Sequence, residues 1–322
     1  MSAVSTPSRL HVSAAFAAIY LIWGSTYLAI RVAIQTLPPF LMAGIRFEIA
    51  GGALYAALRL RGAPRPTRAQ WRGAAIVGGL LLLGGNGGVV WAEQTVPSGL
   101  TAVLIATVPL WMALFEWARG RRPSRGAAVG LPVGFAGVAL LAGPATFIGS
   151  GQIDPAGTVV LMIASASWAA GSLYSRHASL PNSPLLGTAM EMVAGGALLL
   201  AAGSAANEWP SLDLSRVSAA SAIAVVYLVL IGSLIGFSAY IWLLKVSTPA
   251  RVSTYAYVNP LVAVVLGSVL LGEALTARTL LGVTIILASV VLLTSVGARG
   301  RAPAERRIPE PAGTVREADP KG

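Results

Sequence analysis

The 322 residues are 55% apolar and only 11% charged, with a mean hydropathy of +0.73, against roughly 25% charged residues in an ordinary soluble domain, so this chain belongs in lipid. The net charge of +11 does not indicate nucleic acid, because the basic residues fall in short clusters between apolar runs, as on the cytoplasmic side of a membrane protein. Cysteine is absent, the two histidines are His11 and His177, and neither Lys245 nor Lys321 follows a glycine; thiolate chemistry, zinc, Ser/His catalysis and a phosphate loop are excluded, and no metal or cofactor is expected.

Apolar windows of the length a bilayer requires fall at 12–34, 40–60, 72–92, 97–118, 126–143, 156–176, 184–205, 217–240, 249–271 and 277–297. This predicts an all-α membrane protein of ten transmembrane helices. The breaks at Pro38-Pro39, Pro97-Ser98, Ser183-Pro184 and Thr248-Pro249 suit helix starts, where proline is tolerated. The first span is too long for a removable signal peptide, contains Arg31, and is followed by no small-residue cleavage pattern. Residues 1–11 are read as a cytoplasmic tail, and 298–322, rich in Pro, Arg and Glu, as a disordered one.

Alternation from a cytoplasmic N-terminus puts Arg59, Arg61, Arg65, Arg68, Arg72, Arg119, Arg121, Arg122, Arg125, Arg176, Lys245, Arg251, Arg299 and Arg301 inside. Asp154, Glu208, Asp213 and Glu273 fall outside, with Arg216 and Arg278 against them. The asymmetry places both termini in the cytoplasm.

The chain also repeats itself. Trp23, Arg31 and Pro39 recur with identical spacing as Trp168, Arg176 and Pro184, and Ala50-Gly51-Gly52-Ala53-Leu54 recurs as Ala194-Gly195-Gly196-Ala197-Leu198. Pro97 and Pro109 are answered by Pro249 and Pro260. The halves are 12–143 and 156–297, joined by a periplasmic linker at 144–155. Five spans per half is an odd number, so the second half enters the membrane inverted, and Arg31 and Arg176 lie at opposite ends. Two inverted five-helix repeats around a central cavity is a common transporter plan; duplication kept for packing alone is the plainer alternative.

The segments Ile22-Trp23-Gly24-Ser25-Thr26-Tyr27, Pro38-Pro39 through Arg46-Phe47, Gly85-Asn86, Ala92-Glu93-Gln94, Pro97-Ser98-Gly99 and Tyr255-Ala256-Tyr257-Val258-Asn259-Pro260 together resemble the EamA family of the drug/metabolite transporter superfamily, nearest to its YedA-type bacterial inner-membrane exporters. The likeness covers all ten spans and leaves out the tails. It implies ten helices as two inverted repeats, a bacterial inner-membrane location, and export of small metabolites such as amino acids or drugs.

Ionisable groups within a span cost about 2.5–3.5 kcal/mol each at a helix centre by insertion scales and need a reason. Arg46 and Glu191 occupy repeat-related places in spans 2 and 7. Arg46 for a carboxylate and Glu191 for an ammonium, or for a coupling proton, would suit a zwitterion; Arg46 bonded to a backbone carbonyl or to Glu48 is the bland alternative, and Glu48 itself reads as structural. Asn86 and Glu93, seven apart, share one helical face suited to a wet cavity wall; capping of the helix end by Glu93 and Gln94 is equally open. Trp23, Tyr27, Trp168, Tyr174, Tyr255 and Tyr257 suit either a stacking and cation–π lining or packing between repeats. Trp91, Trp117, Trp209 and Trp242 read as interface anchors. Arg31 either snorkels to lipid phosphate or attracts anionic solutes.

Pro109 and Pro260, near the middle of spans 4 and 9, read as hinges, with Asn259 available to a freed backbone group or to substrate. The pairs Gly84/Gly88 and Gly232/Gly236, and Gly126/Gly130/Gly134, allow close helix approach. The reading is a secondary transporter working by alternating access, monomeric or homodimeric, with a small-molecule substrate and membrane lipids as partners. Its ranked competitors are a translocator of phosphorylated or nucleotide-linked solutes and, lower, an intramembrane enzyme or a scaffold without cargo.

Overall fold

The computed structural model describes residues 9–120, 125–142, 154–247 and 254–299. The expectations placed on residues 1–8, Arg121 and Arg122, the linker at 144–153, Pro249 and Arg251, the tail from 300, and the side chains of Arg125, Lys245 and Arg299 lie outside what it describes. Every described element is helical. The helices are α1 (Arg9–Ala33), α2 (Pro39–Leu60), α3 (Arg68–Ala92), α4 (Ser98–Ala118), α5 (Arg125–Ala142), α6 (Pro155–Ser175) and α7 (Pro184–Ala205). Then come α8 (Ala219–Tyr227, continued by Leu228–Ile235 and Gly236–Val246), α9 (Tyr255–Leu271) and α10 (Ala277–Arg299). Seven are long and apolar enough to cross a membrane, and Gly126–Leu141, Tyr255–Leu271 and Ala277–Leu293 are shorter apolar helices. Exposed Ile49, Val159, Ile163, Ile223 and Val269 give the outside of the bundle an apolar surface suited to hydrocarbon.

The helix starts follow local chemistry. Pro39, Pro155 and Pro184 occupy first helical positions, where no N–H is needed. Thr67 and Gln70 form a reciprocal capping box on α3, starting it four residues before the expected 72. Two other starts are capped from the opposite half of the chain. Glu208, beyond α7, accepts from Phe40 N–H at 3.2 Å and Leu41 N–H at 2.9 Å on α2. Glu273, beyond α9, accepts from Ser98 N–H and Oγ at 2.7 Å each and from Gly99 N–H at 3.0 Å on α4. A carboxylate also complements the positive end of the helix dipole. Gly272, at φ 66°, ends α9 in the left-handed region.

The third helix of each half departs from α geometry. Gly79–Gly87 in α3 and Leu228–Ile235 in α8 are π-helical. Bonding from i to i+5 widens the turn, and such segments recur at functional sites. Pro109 splits α4 into Ser98–Ile105 and Val108–Ala118, because it supplies no N–H to the carbonyl of Ile105 four residues back and its ring crowds that carbonyl. Pro260 differs: it lies six residues into α9, which continues through it.

Packing directions can be read from close approaches. Along α2 and α7, Leu41 meets Gly203, Gly44 meets Leu200, Glu48 meets Gly196 and Gly51 meets Met192, so the two run antiparallel. Along α5 and α10, Gly130 meets Ser289, Gly137 meets Ile285 and Leu141 meets Gly282, again antiparallel. In α3 and α6, Ser167 Oγ donates to the Leu80 carbonyl at 2.7 Å and Gly88 abuts Ala164. In α1 and α8, Ser221 Oγ donates to the Val32 carbonyl at 2.9 Å and Trp23 Nε1 to that of Gly232 at 3.3 Å. Both of these pairs are antiparallel. By contrast α1 and α9 run parallel, with Tyr20 bonded to Thr254 and Gly24 against Val262.

The bundle therefore has two chemically distinct ends. One carries Arg31, Glu93, Asp154, Glu208 and Glu273; Arg31 NH1 donates there to the Glu93 carbonyl. The other carries Arg59, Arg61, Arg65, Arg68, Arg72, Arg119 and Arg176, with Arg176 3.8 Å from Glu116. Arg31, bonded to the Glu93 carbonyl, and Arg176, beside Glu116, thus sit at opposite ends. At the first end Asp154 accepts from Thr95 Oγ1 at 2.7 Å and from the Ala156 and Gly157 N–H groups. The Thr95 bond, aided by the two backbone bonds, holds its carboxyl below the usual aspartate range against the opposing effect of desolvation. A depressed folded value means stability present at neutral pH and lost as pH falls below the unfolded reference of about 3.9. Asp154→Asn is expected to lower the unfolding temperature in detergent slightly at neutral pH, with the difference from the parent shrinking as pH falls below the unfolded reference and gone once it passes through the lower folded value.

Candidate functional site

The strongest convergence of candidate residues lies where α1, α2 and the π segment of α8 meet. Arg46 is 4% exposed, and its Nε donates to Ser233 Oγ at 3.1 Å. Its NH1 is buried and has no hydrogen-bond partner among the described residues. The guanidinium carbon lies 4.7 Å from the centre of the Phe47 ring. Among the described residues neither a backbone carbonyl nor Glu48 takes Arg46; Glu48 instead packs on Gly196 of α7. Gly232, whose carbonyl receives Trp23, would with a Cβ meet Thr26 at 3.1 Å and Arg46 NH2 at 3.4 Å. A side chain at 232 would therefore crowd the seam between Trp23 and Arg46.

Trp23 is the centre of an aromatic cluster. Its ring lies 5.4 Å from Phe237, 5.2 Å from Tyr240 and 5.2 Å from Tyr255, and the two tyrosines are 5.9 Å apart. Edge-to-face contacts of this kind are worth about 0.5–1.5 kcal/mol per pair beyond area burial. Trp23, Tyr27 and Arg31 follow at four-residue steps and share one face of α1. Tyr27 is within electrostatic range of both Tyr255 and Glu93, linking the cluster to the Glu93 end.

The other expected aromatics are not gathered here. Trp168 packs on Gly85 in the π segment of α3, which mirrors Trp23 on α8. Tyr257 packs beside Leu110, Leu131 and Val290. Tyr174 is 38% exposed at the arginine-rich end. There it borders a cavity of about 450 Å³ with Arg68, Ala69, Arg72, Gly73 and Ser179. Trp23, Arg46, Glu191 and Asn259 line neither this space nor a small one beside Glu273.

Glu191 is half-buried on α7 and makes no hydrogen bond or ion pair among the described residues. The antiparallel register of α2 and α7 sets Arg46 level with residue 198, so Glu191 lies about 10 Å farther along the axis at 1.5 Å per residue. The two do not form a pair. Asn259 is buried with Oδ1 unpartnered among the described residues. Asn86 is half-buried within the π segment, and the wider turn there removes the basis for placing it on the face of Glu93. Glu93 and Gln94 separate: Gln94 is exposed and folds back on the Trp91 carbonyl at 3.0 Å, whereas Glu93 is 0% exposed.

Sequence reasoning missed Ser233, Phe237 and Tyr240, and treated Glu208 and Glu273 only as loop charges. The signal for Ser233 was its place beside Gly232 in the repeated glycine pair. Tyr240 lies four residues beyond Gly236, on the same helical face.

The sequence profile of the EamA-like transporter family matches residues 12–143 and again 155–295. The chain is 42% identical over 279 residues to the "Uncharacterized inner membrane transporter YedA" of Escherichia coli (strain K12), covering 86% of this chain and 88% of that protein. It is 25% identical over 284 residues to the "Uncharacterized transporter YvbV" of Bacillus subtilis (strain 168), covering 86% and 89%. A plant relative, the "WAT1-related protein At3g02690, chloroplastic" of Arabidopsis thaliana, is 26% identical over 280 residues, covering 85% and 67%. A crystal structure superposes with a TM-score of 0.61 at 22% identity over 92% of this chain and 100% of that chain, a likeness of fold alone. With both halves matched and so near a relative in YedA, this chain belongs to the EamA-like transporter family and is a transporter, not an enzyme.

Proposed function

We propose that the protein exports small amphipathic metabolites, amino acids among them, by alternating access between two inverted halves of five membrane crossings each. The repeat-related pairs α2/α7 and α5/α10 pack antiparallel, and every packing direction given above is compatible with strict alternation of ten crossings. The arginine-rich end then faces the cytoplasm, with both termini. One observation carries the reading: Arg46 holds a buried cation, with one nitrogen unpartnered among the described residues, at a seam shared by both halves and flanked by Trp23. A desolvated guanidinium is suited to a carboxylate, and the rings beside it to an apolar side chain. Glu191, about 10 Å away along the axis, takes the ammonium or a proton at a later position on the path.

A second reading, for phosphorylated or other strongly anionic solutes, draws support from Arg68 and Arg72 around the cavity at the arginine-rich end. Overexpression in sensitive bacteria, challenged with toxic amino-acid analogues, amphipathic drugs and phosphorylated analogues, separates the two. Protection against the first two groups, followed by efflux of the active compound from proteoliposomes, is the expected result. Absence of protection and flux across the panel would overturn the export reading.

A further inference from the structure

Glu93 is the ionisable group most at odds with its surroundings. It stands at the end of α3, is 0% exposed, and neither carboxyl oxygen has a hydrogen-bond partner among the described residues. Arg31, the nearest cation, gives NH1 to the backbone carbonyl of Glu93 rather than to its carboxyl group. The remaining groups that reach Glu93 are Tyr27 on the same face of α1 and Glu273 from beyond α9. Glu273 is committed to the start of α4 by three hydrogen bonds, and its charge opposes a second negative charge nearby. On the α6 side, Asp154 is bonded to Thr95, and Ser98–Ile105 of α4 contributes no ionisable side chain. On α2, Arg46 is turned to Ser233. An ionised carboxylate without hydrogen bonds is the costliest occupant of such a site, and a neutral carboxylic acid is the cheapest.

We propose that Glu93 is a proton-binding site that gates this end of the transporter, distinct from Glu191, protonated while its end of the bundle is shut and deprotonated when that end parts. The shut state is visible in the bonds across this end: Arg31 to the Glu93 carbonyl, Glu208 to α2, Glu273 to α4, Thr95 to Asp154, and Ser218 N–H to Thr36 at 3.2 Å. Parting α1 from the end of α3 breaks the Arg31–carbonyl bond. The freed guanidinium and entering water then stabilise the carboxylate, and the proton leaves to that water. Closing requires a proton back from the same side. One proton is thereby tied to each opening, and the face of α1 bearing Trp23, Tyr27 and Arg31 connects the site to the Arg46 seam. The coupling rests on the transporter reading above; the protonation itself does not.

The absence of native cysteine permits a single reporter thiol. Ala92→Cys, at a 0% exposed position beside Glu93, is labelled with a membrane-impermeant maleimide and normalised at each pH to Gln35→Cys, at an exposed position on the same end. Normalised labelling is expected to rise with pH, by up to about tenfold per unit for one linked proton. With Glu93→Gln added it stays low and flat, and with Glu93→Asp it rises again over a displaced range. Infrared spectra of the parent protein in lipid should contain a protonated carboxyl band at neutral pH that disappears over the same range and is missing in Glu93→Gln. A pH profile unchanged by Glu93→Gln, or a parent spectrum without a titrating carboxyl band, overturns the proposal. Should Glu93→Gln fail to fold, the parent's infrared titration and the Glu93→Asp displacement decide. No transported solute is used, so these results stand or fall separately from the export reading.

Discussion

Export by an Arg46→Met variant is expected to fall by about tenfold to a hundredfold while its unfolding temperature holds or rises. The loss corresponds to one hydrogen bond to a charged group, about 1.5–3 kcal/mol. The stability expectation has the opposite sign because of what surrounds the guanidinium. Arg46 has one side-chain partner, Ser233, and a buried NH1 with none among the described residues. A cation held at depth in a helix costs about 2.5–3.5 kcal/mol by insertion scales, and methionine removes that cost while keeping most of the volume. A structural arginine would behave the other way, its replacement lowering the unfolding temperature and the activity together. Thermal unfolding in detergent, paired with proteoliposome efflux of a compound identified by the resistance panel, distinguishes the cases.

Two adjacent glycines should respond to alanine in opposite directions. A Cβ on Gly51 would stand 2.6 Å from Met192 Cβ, 2.9 Å from Val193 N and 3.0 Å from the Ala189 carbonyl, and two of those three neighbours are backbone. Gly51→Ala therefore forces α2 from α7, and overpacking of this kind costs about 1–3 kcal/mol. A Cβ on Gly52 would meet nothing within 4 Å. Gly52→Ala should stabilise α2 by about 0.5–1 kcal/mol through reduced backbone freedom in the unfolded chain. Unfolding midpoints of the two variants should move apart around the parent. Equal shifts would mean that the α2–α7 seam is looser than its glycines indicate.

Much of this architecture was legible because hydrophobic length and punctuation are local properties. Among the described residues the apolar windows fall on helices, seven of them long and apolar enough to cross a membrane, with ends displaced by a few residues where capping chemistry acts, as at Thr67. The repeated Trp-Arg-Pro frame led to Arg31 and Arg176 at opposite ends of the bundle, where they lie. Less legible were features that depend on a partner far along the chain. Glu208 and Glu273 read as loop charges because only the fold brings them to the starts of α2 and α4. The aromatic residues were recognisable as a set, but which of them meet depends on helix phase: Tyr255 joins Trp23, while Tyr257, two residues on, turns toward α4, α5 and α10. Glu93 was equally ambiguous beside Gln94, because burial at a helix end is decided by what packs over it.

The widened turns in α3 and α8 also change how experiments on those helices must be interpreted. A substitution scan wrapped on an ordinary helical wheel will appear to lose its rhythm within Gly79–Gly87 and within Leu228–Ile235, then regain it out of step. Tolerant and intolerant positions before the turn must be plotted on one wheel and those after it on another. Otherwise a residue bordering the protein interior will be assigned to lipid, and one facing lipid to the interior.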